Sequence, residues 1–70
     1  MSKPIIVYQP SPSGGRRVRV AGEILGLAHD LRDVAEFLRH AGLEMDETDV
    51  ESSPLIEWRG GGPGTWPAPW

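Results

Sequence analysis

Two histidines, scattered serines and threonines, and a single lysine are the groups in this 70-residue chain that could move a proton or attack an electrophile. A hydrolase or transferase needs a nucleophile, a base and an electrophile-stabilising group converging on one concave site. His29 stands just ahead of a predicted helix and His40 falls on that helix's polar face. The hydroxyls of Ser11, Ser13, Thr48, Ser52, Ser53 and Thr65 are spread over predicted loops, and Lys3 lies near the N-terminus. No spacing brings these groups together, so both histidines read as surface residues beside carboxylates and no catalytic residue is expected. Glu36 and His40, four apart, are two potential metal ligands where a structural zinc site takes four. The chain has no cysteine, which excludes disulfides, thiolate zinc sites and iron-sulfur clusters. A non-enzymatic protein without metal, cofactor or small-molecule ligand is the expectation.

Three other groups of residues could carry binding. Arg16, Arg17 and Arg19 form the single basic cluster, on a predicted hairpin, and could touch phosphates. Three arginines supply few phosphate contacts, and the acidic stretch from Glu44 to Glu51 can neutralise them within the same chain. Gly14-Gly15 and Gly60-Gly61-Gly62 lack the Gly-Lys-Ser/Thr ending that a phosphate-cradling loop requires, so both read as turns. Trp58, Trp66 and Trp70 all lie in the last thirteen residues. Tryptophan outside a core marks a partner contact, and Pro67-Ala68-Pro69 would hold two of them on a stiff rod. Alternatively, Trp66 folds back onto the open face of a sheet to cover a thin core.

The elements that position these groups follow from the hydrophobic pattern. Ile5 to Tyr8 is a β-favourable run between Pro4 and Pro10. Ser11 to Gly15 is turn-forming, and Arg16 to Val20 alternates, with Val18 and Val20 on one face and Arg17 and Arg19 on the other. Ala21-Gly22 closes a tight hairpin onto a third strand, Glu23 to Ala28, in which Gly26 marks a bulge or a weak point. Asp30 caps a helix running to Leu43, with Asp33 in its first turn. Its buried stripe is Leu31, Val34, Ala35, Leu38 and Ala41, widened by Phe37. Gly42 and Leu43 form a Schellman-type stop. Glu44 to Ser53, anchored only by Met45 and Val50, reads as a loop with one short turn. Leu55 to Trp58 is a last strand suited to a sheet edge.

The fold predicted is α+β, a small antiparallel sheet of three to four strands on one amphipathic helix, in the order βββαβ. Residues 1–59 would form the domain and residues 60–70 a Gly/Pro/Trp tail, flexible at first and polyproline-like at its end. Net charge is −3, divided as +2 over residues 1–42 and −5 over residues 43–70. That polarity suits a protein partner better than nucleic acid. The longest apolar run is far too short to span a membrane or form a signal-peptide core, and the absence of cysteine is compatible with a reducing cytoplasm.

Val18 to Glu44 (VRVAGEILGLAHDLRDVAEFLRHAGLE) and Ser53 to Pro63 (SPLIEWRGGGP) resemble short uncharacterised proteins of high-GC actinobacteria. The resemblance implies one compact domain and carries no activity. The function expected is that of a protein-interaction or regulatory module, with a protein partner or a second copy, acting through the last strand and the tail. Its contact residues would be Trp58, Arg59, Trp66, Pro67, Pro69 and Trp70. Two other functions fit the residues: a precursor whose Trp-rich end is modified or released, and a weak nucleic-acid binder using Arg16, Arg17 and Arg19.

Overall fold

Four strands and two helices make up the computed structural model, which describes residues 3–66. The strands are β1 (Ile5–Val7), β2 (Arg16–Val20), β3 (Glu23–Ala28) and β4 (Ile56–Trp58), and the helices between β3 and β4 are α1 (Leu31–His40) and α2 (Glu47–Ser52). The sheet order is β3-β2-β1-β4.

The α+β class and the three N-terminal strands agree with the expectation, but the sheet is mixed. β1 pairs antiparallel with β2 and parallel with β4. A parallel return needs a long crossover, and the whole α1–α2 segment supplies it. It leaves β1 beside β2 in the middle of the sheet, with Ile5, Ile6 and Val7 all buried. β4 forms a sheet edge, the place expected for the last strand.

The helical layer also differs from the predicted βββαβ order, because α2 occupies the segment expected to be a loop. Asp46 accepts from the Asp49 amide at 2.9 Å and Asp49 accepts from the Asp46 amide at 3.2 Å, a reciprocal capping box. Only Val50 of this six-residue helix is buried, so the helix shows no apolar periodicity. It stands because its cap is satisfied and Val50 reaches the core.

α1 follows its pattern closely. Asp30 accepts from the Asp33 amide at 2.9 Å, while the Asp33 carboxylate accepts from the His29 amide at 2.8 Å. At the other end, Leu43 N donates to Leu38 O and Gly42 N to Arg39 O, both bonds of a Schellman stop. Val34, Ala35 and Leu38 are buried against Ile5, Val7, Val18, Ala28, Val50 and Ile56, whereas Ala41 is an exposed cap residue.

Two irregularities shape the β2–β3 hairpin. Ala21 and Gly22 both have positive φ, at 51° and 88°, the combination of a type I′ turn. Between Val18↔Gly26 and Arg19↔Ile24 the register shifts, so Leu25 is the extra residue of a bulge. Gly26 has φ 153°, and a Cβ there would lie 3.0 Å from the Phe37 ring, so glycine admits α1's aromatic side chain against the sheet.

Candidate interaction surface

β2 sets the geometry of both of its faces. Alternation puts Arg16 in phase with Val18, facing inward, and it is completely buried. Its guanidinium has five N–H donors, and each has a backbone carbonyl partner. Nε donates to Tyr8 O at 2.8 Å, Nη1 to Gly62 O and Thr65 O at 2.9 Å, and Nη2 to Arg59 O and Gly61 O at 2.9 Å. The same group lies 5.4 Å from the ring centroids of Trp58 and Trp66, which meet edge to face at 6.5 Å. Burial lowers the guanidinium pKa from its usual value, yet an arginine stays a cation, and here carbonyl oxygens and ring faces replace its water shell.

The segment after β4 therefore belongs to the fold as far as it is described. Residues 60–66 wrap around Arg16, with Thr65 N donating to Gly62 O at 3.1 Å and Trp66 Nε1 donating to Pro63 O at 2.7 Å. Gly61, at φ 127°, lies so close to Thr65 that a Cβ would approach it to 2.7–2.8 Å. The glycines make this close turn possible, and residues 61, 62 and 65, placed in the tail by the sequence, bond to Arg16 of the domain. Trp58 and Trp66 are half-buried around the cation instead of projecting from a tail. Trp66 does fold back, but beside Trp58 on the inner side and not over the open face. Pro67, Pro69 and Trp70 lie outside the described residues.

Arg16 is thus withdrawn from the basic cluster, because its donors are used internally. Arg17 is exposed and Arg19 half-exposed on the outer face, where Arg19 Nη1 donates to the Tyr8 hydroxyl at 3.1 Å. Arg59 lies over the Tyr8 ring at 5.3 Å and pairs with Glu57, whose hydrogen bond is the main cause of its raised pKa. Of the expected contact residues, Arg59 is the one that both falls among the described residues and lies open to solvent.

The outer face as a whole is the feature that β-strand patterning did not single out. The register aligns Ile24 with Arg19, and Leu27 with Arg17. Both apolar side chains face outward, 50% and 44% exposed. No described element covers this side, while α1 packs against β2 and β3 on the other. Two hollows flank the arginines: one of about 250 Å³ bordered by Lys3, Ile6 and Arg19, and one of about 230 Å³ bordered by Tyr8, Pro10 and Arg17. The signal for Ile24 and Leu27 was weak in sequence because the Leu25 bulge makes residues three apart share a face.

Among the described residues, no cluster of three or more His, Cys, Asp or Glu side chains could hold a metal ion, and no helix is long and apolar enough to cross a membrane. His29 and His40 lie at opposite ends of α1 and do not come together. Comparison with known protein families, curated proteins and solved structures gives no match.

Proposed function

We propose that this chain is a small non-enzymatic protein-interaction module whose contact surface is the uncovered outer face of its sheet, completed on one side by β4 and the exposed Arg59. The observation that carries this reading is the pair Ile24 and Leu27, large apolar residues half exposed on a face without a covering layer. Sheets of packed domains bury their apolar faces, and contiguous exposed apolar surface marks a contact site. Residues 58–66 take a different role from the one expected of a free aromatic tail. They clamp the sheet end from inside and hold β4 in place beneath that face.

The Ile24→Ser/Leu27→Ser double variant tests the reading. Both side chains are exposed, so the variant should fold as the parent does and lose its association with partner protein in pull-downs from producing cells. Association retained at the parental level would remove the outer face from the function. Release of the chain's end after the triple glycine has less support, since Gly61 and Gly62 carbonyls are held by Arg16.

A further inference from the structure

We infer that the partner of the outer face is an acidic amphipathic helix, laid along the β2–β3 seam with its apolar stripe on Ile24 and Leu27 and its carboxylates on Arg17 and Arg19. This rests on the interaction-module reading and names the chemistry of what binds. Among the described residues, Lys3, Arg17 and Arg19 form no ion pair, whereas Arg59 is neutralised by Glu57. The face is therefore cationic in a chain of net charge −3. The compensating acids concentrate in the helical layer, where Glu44, Asp46, Glu47 and Asp49 outnumber Arg32 and Arg39 on one surface. An acidic partner is drawn to the sheet side and repelled from the helix side, so charge orients the encounter before any apolar contact forms.

Beside β2 and β3, geometry favours a helix on the face over a strand added at the β3 edge. The β3 edge is interrupted by the Leu25 bulge, and bulges blunt the ladder that a further strand would extend. The face offers a shallow apolar pair flanked by cations, and a helix covering it would complete a three-layer arrangement mirroring α1. Nucleic acid fits less well. Arg16 has no donor left for a phosphate, and Tyr8, the one aromatic on this face among the described residues, is already occupied by Arg59. Two copies meeting face to face would juxtapose Arg17 and Arg19 with their own counterparts.

The experiment is an amide-resolved NMR titration of the full chain with three probes. These are an 18-residue amphipathic helical peptide of Leu, Ala and Glu, its counterpart with Lys replacing Glu, and a single-stranded thymidine oligonucleotide. The expected result is that only the glutamate peptide binds, with shifts centred on Arg17, Arg19, Ile24 and Leu27. Its affinity should fall about tenfold between low and physiological salt, and about tenfold or more in Arg17→Glu/Arg19→Glu, a variant that retains the parental dispersion of resonances. If the lysine peptide or the oligonucleotide binds this face as well or better, the acidic-helix partner is overturned while the face remains a contact surface. Concentration-dependent shifts of the same residues without probe overturn it in favour of a second copy. No shift on this face with any probe overturns the partner, and pull-downs with Ile24→Ser/Leu27→Ser then decide the interaction-module reading separately.

Discussion

Arg16 gathers more of the structure to itself than any other residue. Its planar fork directs five donors at fixed angles while lying 5.4 Å from the centroids of two tryptophan rings, which a lysine ammonium with three donors cannot reproduce. Arg16→Lys should lower the unfolding free energy by about 2 kcal/mol or more, because carbonyls buried beside the cation lose their partners. Urea denaturation would measure the loss, and a red-shifted tryptophan emission would report the opened Trp58–Trp66 pair. A loss below about 0.5 kcal/mol, within the range of ordinary surface substitutions, would reduce the five bonds to incidental contacts. Ala21 presents the opposite case. A non-glycine residue at φ 51° carries a steric penalty that asparagine tolerates better. Ala21→Asn should raise the unfolding free energy by about 0.5–1 kcal/mol in the same assay, and a decrease would show that the hairpin takes another turn in solution.

At the scale of elements, the strap of residues 60–66 and the short helix α2 share a dependence on capture by neighbours. The strap has no regular ladder of its own, and three of its carbonyls are held by Arg16. Truncation after Arg59 therefore removes carbonyls that pair the buried Arg16 cation, and should cost about 3 kcal/mol or more. That is a large part of the roughly 4–10 kcal/mol available to a domain of this size. Thermal unfolding of the truncated chain is the measurement, and an unchanged midpoint would return the segment to the status of a tail. α2 is too short to persist alone and is held by its capping box and by Val50. Both elements turn a polar, glycine-rich or acidic stretch into ordered structure through a few well-placed bonds.

The whole molecule is a two-layer domain with unlike faces, acidic on the helices and basic with apolar spots on the sheet. Because Ile24 and Leu27 are half exposed, replacing both with serine should lower the unfolding free energy by only about 1–2 kcal/mol, leaving the domain folded even as association is lost. Parallel denaturation and pull-down measurements separate those two effects. A large stability loss would mean that the outer face is packed in solution and not open to a partner. The same asymmetry makes self-association by two sheet faces unfavourable at low salt, since it would oppose like charges.

Much of the fold was legible in the residues themselves. The alternation of β2, the Ala21-Gly22 turn, the Asp30 cap and the Gly42-Leu43 stop are local devices, each set by side-chain and backbone preferences over a few positions. The parallel placement of β4 was not legible, because strand pairing between residues some fifty positions apart depends on how α1 and α2 carry the chain back over the sheet. Nor was the site. Alternation already aimed Arg16 inward, but its inclusion among three basic residues suggested phosphate contact, and only the folded chain shows five distant carbonyls meeting it. The glycine run likewise favours flexibility when isolated, and becomes a fixed turn once a buried cation draws its carbonyls inward. Local sequence thus determined the three N-terminal strands, the two faces of β2, and α1 with its caps. Tertiary structure decided which charges are buried and which stay available, because desolvation and hydrogen bonding of a cation depend on groups that come together only when the chain closes.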